Sequence, residues 1–120
     1  MFPPLFATAA ASAPVVALLG SPLRLFLFGE ATQSTAKPYA VWQTVTGSPA
    51  NYLGQRPDLD RYTTQVDVYA STVSSARAVA DALRQAFEGV AYLTSWRGER
   101  KDPTTNNFNV SFDVEWHVPR

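Results

Sequence analysis

The chain has no cysteine and a single histidine. The missing thiols exclude disulfides, thiolate zinc sites, iron–sulfur clusters and cysteine nucleophiles together. They leave the redox compartment open. Charge of one sign is also lacking. Lys plus Arg is 10 and Asp plus Glu is 10, and charged residues are 17% of the chain, below the usual value of about 25%. A dedicated nucleic-acid binder carries a basic excess. An acidic disordered tail carries the opposite. Both are excluded. So little surface charge gives weak protection against association, and self-association is expected. Long apolar runs are missing too. The longest clean one, Val15 to Leu19, is far short of the ~18–20 residues of a membrane span. Ala9, Ala11 and Ala13 form an A-x-A-like pattern, but no Lys or Arg precedes Arg24, and Pro3, Pro4 and Pro14 break the segment. A signal peptide is therefore not expected, nor is a membrane partner.

What is present is core material. Hydrophobic residues are 46% and aromatics 12% of 120 residues. That length supports one domain, residues 1–120, which should bury roughly two-thirds of its unfolded surface. Two short helices open the chain: Leu5, Phe6, Ala9 and Ala10 follow helical spacing, and Ala13 to Leu19 lies between a capping Ser12 and a terminating Gly20. Their small residues suit flat packing on a sheet. Leu23 to Phe28, Tyr39 to Thr46 and Asp60 to Tyr69 read as strands. The clearest helix follows. Val73, Ala76, Val79, Ala80, Leu83, Ala86 and Phe87 make one stripe opposite Arg77, Asp81, Arg84 and Gln85. Thr72 or Ser71 can cap it and Gly89 can end it.

Tyr92 to Arg97 reads as a fourth strand, then a polar connection from Gly98 to Asn107. The last strand alternates most sharply. Phe108, Val110, Phe112, Val114, Trp116 and Val118 face the core, and Asn109, Ser111, Asp113, Glu115 and His117 face out. The fold class is α+β: a single largely antiparallel sheet of about five strands with helices packed on one face. Trp116 and Phe112 should pack against the stripe of Val79, Leu83 and Phe87.

The chemistry is sparse. His117 is an outward residue with no orienting partner in view, so a surface histidine is the simpler reading. Asp113 and Glu115 share its strand face, and a small enzyme using these three groups is the one catalytic reading the residues offer. It lacks a nucleophile and an orienting shell. Asp58 and Asp60 lie two apart at a strand entry, without the D-x-D-x-D-G loop of a calcium site; turn formation and strand-end capping explain them. No phosphate-binding glycine motif occurs. Arg97, Arg100 and Lys101, offset by Glu99 and Asp102, read as a solvated hairpin tip or as a contact with a neighbouring subunit or with passing nucleic acid. In the loop Ser48 to Pro57, Tyr52 and Leu53 are bulky apolar side chains inside turn chemistry. Either they fold back onto the core or they anchor a partner.

The run Pro38-Tyr39-Ala40-Val41-Trp42-Gln43-Thr44-Val45-Thr46-Gly47-Ser48-Pro49 resembles the central strand and loop of the tail completion proteins of long-tailed bacteriophages and prophages. So do Asp60-Arg61-Tyr62 leading to Val66-Asp67-Val68-Tyr69-Ala70, the helix Ala76 to Leu83, and the ending Phe112 to Val118. The similarity covers nearly the whole chain. Its specificity comes from the pieces occurring in order, since none is a catalytic signature.

The resemblance implies a virion structural protein: a tail terminator, usually a hexameric ring, that caps the tail tube, stops its polymerisation and forms the head–tail joining surface. It implies no enzymatic activity, no cofactor and no metal. The implied partners are further copies of the chain, the major tail tube protein and a head connector or adaptor protein, with DNA only as passing cargo. The implied place is the head-proximal end of the tail, reached by assembly in the host cytoplasm. Another neck protein, such as a head-completion or adaptor subunit, is the alternative. The candidate interface residues are Asn51, Tyr52, Leu53, Arg56, Asp58, Arg97, Arg100 and Lys101. A globule of this size has a radius of gyration near ~14 Å. About six such units would enclose a hole of roughly 30 Å, wide enough for duplex DNA of about 20 Å.

Overall fold

A computed structural model describes residues 2–31, 35–49 and 59–119. The elements in chain order are α1 (Leu5–Ala10), α2 (Ala13–Leu19), β1 (Leu25–Leu27), β2 (Tyr39–Pro49), β3 (Leu59–Ala70), α3 (Val73–Glu88), β4 (Tyr92–Lys101) and β5 (Phe108–Pro119). The strands form one sheet in the order β1-β2-β3-β5-β4. β1 pairs parallel to β2, and every other pair is antiparallel. The α+β class read from the sequence is the class observed.

The topology follows from α3. It carries the chain across one sheet face from β3 to the outer strand β4, leaving a slot that β5 fills between them. Thr72 caps this helix: its Oγ1 accepts from the Ser75 N–H at 3.1 Å. Five residues of the expected stripe are buried, Ala76, Val79, Ala80, Leu83 and Phe87, against Val66, Val68, Phe112, Val114 and Trp116; Ala86 is partly buried, and Val73, in the first turn, is exposed. Phe87 meets Trp116 edge-on at 5.5 Å. The buried indole N–H donates to Thr64 Oγ1 at 3.0 Å, and that hydroxyl lies 3.3 Å from the Val114 carbonyl.

α1 and α2 bury Leu5, Ala9, Val15 and Leu19 in the same core and lean on α3 rather than lying flat on the strands. Ser12 occupies the N-cap of α2, but its side chain makes no capping bond. Arg24, the first charge in the sequence, ties these helices to the sheet. It donates to the Pro38 carbonyl at 2.8 Å and to the Leu18 carbonyl at 3.2 Å. Gly20 permits this: its φ is +84°, and a Cβ there would come within 2.7 Å of the guanidinium.

Several boundaries shift. β1 is shorter than Leu23 to Phe28, and β2 runs on to Pro49 past a bulge between Thr44 and Thr46. β4 continues to Lys101, so the stretch from Gly98 is strand and the connection starts at Asp102. Bulges between Leu93 and Ser95 and between Trp96 and Gly98 break the alternation there. Asn109, Ser111 and Asp113, expected to face out, are 5%, 4% and 7% exposed. Their face carries no helix among the described residues. They are buried because they lie in a trough between the longer side chains of β3 and β4.

The molecule measures 53 × 28 × 22 Å, with a radius of gyration of 15.2 Å, above the ~14 Å of a typical globule this size. β3 alone, at 12 residues, spans ~40 Å, whereas the 16 residues of α3 span ~24 Å. The sheet outruns its helical cover.

Candidate functional site

Of the interface candidates, Asn51, Tyr52, Leu53, Arg56 and Asp58 lie outside the described residues. Arg97, Arg100 and Lys101 are described, and they do not form a hairpin tip. All three sit on β4, because the strand continues through them. Register separates them. Arg97 and Arg100 stand over the open face, while Lys101 lies on the helix-covered side with its Nζ 5.3 Å from the Phe108 ring.

Arg97 donates from Nε to Asp113 Oδ1 at 2.7 Å, and Arg100 from Nε to Asn109 Oδ1 at 3.2 Å. The hydrogen bond to Asp113, and then its charge, hold the Arg97 guanidinium above its ordinary value. Asp113 is therefore committed to Arg97. It does not join Glu115 and His117, which lie 3.4 Å apart with the imidazole 5.6 Å from the Tyr92 ring. Among the described residues no group of three His, Asp or Glu side chains could hold a metal.

The open face also carries an aromatic row that a sequence pass does not see. Tyr39 and Tyr69 are register partners and stack at 5.2 Å, and Phe26 meets Tyr39 edge-on at 6.4 Å. Burial, reinforced by Asp67, pushes the Tyr69 phenol up. These residues are 43 positions apart at the widest, so only strand pairing brings them together.

The other missed feature is a groove of about 950 Å³ between α3 and β4, lined by Val73, Ala78, Trp96 and Val110. The apolar stripe of α3 points at β3 and β5 and leaves the outer strand partly uncovered. Trp96 packs on Phe112 at 5.4 Å, with the Arg84 guanidinium 6.0 Å above its ring, yet stays 48% exposed. Arg77 spans the groove to Glu99 through two hydrogen bonds of 2.7 and 3.0 Å. The same bond lowers the Glu99 carboxyl below its usual range.

Two unlike sheet edges, an apolar groove and a paired polar face define a class: a small α+β protein with one open sheet face and a groove beside its outer strand. The family described as Tail completion protein gp17 matches residues 3–118. A search of curated proteins finds no match. Among solved structures, a chain of the virion of a native gene transfer agent particle superposes with a TM-score of 0.68 at 12% identity, covering 97% of this chain and 92% of that one. The gp17 protein of bacteriophage SPP1 superposes with a TM-score of 0.59 at 11% identity, covering 97% and 86%. At such identities these likenesses speak for the fold, and the family match speaks for the kind of protein. The chain belongs to the tail completion protein gp17 family. It is a structural protein of the virion tail, assembled with other virion proteins, and not an enzyme.

Proposed function

We propose that this protein is a tail terminator. Copies of it form a ring, six in number by the resemblance, on the head-proximal end of the tail tube. The ring stops tube polymerisation and offers the surface that docks to the head connector, and DNA passes through it as cargo. The observation that carries this reading is the family match across residues 3–118, nearly the whole chain. The shape supports it. A cyclic ring needs two different complementary patches on each subunit, and the two edges of this sheet differ in length, charge and flanking shape. Balanced charge, 10 against 10, suits a ring through which DNA must slide rather than stick.

Electron microscopy of tails made without the protein tests this. Tubes of irregular length without a head-proximal ring are expected; tails of normal length with that ring intact would overturn it. Pull-downs against purified tail tube protein and against connector protein separate the terminator from a neck protein that meets the connector alone.

A further inference from the structure

We propose that the β1/β2 edge of one copy seats in the α3/β4 groove of the next, with Phe28 as the inserted side chain. This rests on the ring reading and names its subunit contact.

The groove is the receiving side. Its walls are apolar at Val73, Ala78, Trp96 and Val110. Two of its rim cations are already paired, Arg77 with Glu99 and Arg84 with Glu88, while Asp81 accepts from the Gln85 amide at 3.1 Å. A partner that leaves the Asp81 side of the rim wet can therefore cover the rest without stranding a charge, the usual obstacle to burying such a surface. Strand pairing onto β4 itself is blocked. Its ten residues include Arg97, Glu99, Arg100 and Lys101 and two bulges, the devices that keep foreign strands off an edge.

The opposite edge is the inserting side. β1 pairs only with residues Ala40 to Trp42, and β2 continues beyond it to Pro49. Neither strand contains a charged residue. Phe28, directly after β1, is 61% exposed, and Val45 at the β2 bulge is 37% exposed. What these two strands lack, and β4 has, is charge.

A second copy accounts for both patches, whereas any other single partner accounts for one. They lie at opposite ends of a five-stranded sheet, ~19 Å apart at the usual strand spacing, so a chain cannot fill its own groove. The contact is projecting on one side and concave on the other, hence head-to-tail, the type that closes into rings. Zero net charge adds no general repulsion between copies. A standard interface takes ~800 Å² from each partner; two of them would use roughly a fifth of the 7079 Å² surface.

The absence of cysteine makes a covalent test clean. The double variant Phe28→Cys with Ala78→Cys, assembled on tail tubes and oxidised, should give a ladder of covalent multimers. Each single variant should give none. Separately, Trp96→Glu should weaken ring assembly by about tenfold or more. Because Trp96 is half exposed, this variant should still fold, which circular dichroism and thermal melting check. If mass measurement shows a ring but the double variant gives no ladder, or Trp96→Glu assembles normally, the contact lies elsewhere and the proposal fails while the ring survives. A Phe28→Cys single variant that dimerises would mean a symmetric contact and also overturns it. If the wild-type protein stays monomeric on the tube, the ring reading and the proposal fall together.

Discussion

The two faces of β5 are both buried, for different reasons. Phe112, Val114 and Trp116 lie under a layer of helices. Asn109, Ser111 and Asp113 lie under no helix, in a trough made by their neighbours' side chains. A layer excludes water from a whole surface, so its residues must be apolar or fully bonded, as Trp116 is through Thr64. A trough excludes water from single atoms and leaves its walls wet. Asp113 is tolerated there because Arg97 reaches down to it while staying 49% exposed itself. Asn109 is tolerated because Nδ2 donates to the Val68 carbonyl at 3.2 Å and Oδ1 accepts from Arg100. Fractional burial alone would rank these two sets together. Their energetics should not.

The sharpest way to break that contrast is Phe112→Ala. The ring is 0% exposed, between Trp96 and the core, and its removal leaves a cavity that packed neighbours cannot fill. We expect a loss of about 3–5 kcal/mol in denaturant unfolding, with an unchanged slope. A loss no larger than that for Asp113→Ala would mean that the helical layer contributes nothing special. The Asp113 variant should lose much less, because water can solvate the freed guanidinium. The difference from wild type should also shrink as salt is raised, since the half-exposed guanidinium leaves the pair open to screening. Phe112→Ala should be indifferent to salt. An Asp113→Ala penalty that persists at high salt would put the pair in the dry class instead.

This contrast also marks what the sequence could and could not tell. The apolar face of β5 was legible because strict alternation from Phe108 to Val118 has one structural meaning. The α3 stripe and its Thr72 cap were legible for the same reason: spacing and capping are local. The polar trough was not. Whether Asn109 or Asp113 is buried depends on which strands flank β5, and the order β3-β5-β4 is a long-range fact. The end of β4 is not legible, because Gly98, Glu99, Arg100 and Lys101 look like a turn; bulges let a strand absorb them. For the same reason the spacing of Arg97 and Arg100 suggests a tip, where the strand carries them over the open face. The groove at Trp96 had no local signal, since it arises where a straight helix fails to cover a fifth strand. The family pattern supplied what locality could not, because it is carried by the order of the pieces.

The smallest expected effect concerns the pair across that groove. The Arg77 hydrogen bond lowers Glu99 in the folded state below its ordinary range. A lowered carboxylate contributes stability that is fully present above its unfolded pKa, about 4.3, and is lost as pH falls through the folded value. Wild type minus Glu99→Gln should therefore be a small constant from neutral pH down to about 5, should decline as pH falls below the unfolded pKa, and should vanish only below the lowered folded one. Both side chains are exposed, so the constant should also fall with salt. Asp102 is the internal control. The Thr104 N–H, at 2.9 Å, lowers its carboxyl in the same way and belongs to the β4–β5 connection, not the groove. Both proteins lose the Asp102 contribution in acid, so it cancels in the difference. A difference that grows on acidification would mean that Glu99 is held in the protonated form by the fold, and the rim of the groove would then carry an uncompensated Arg77.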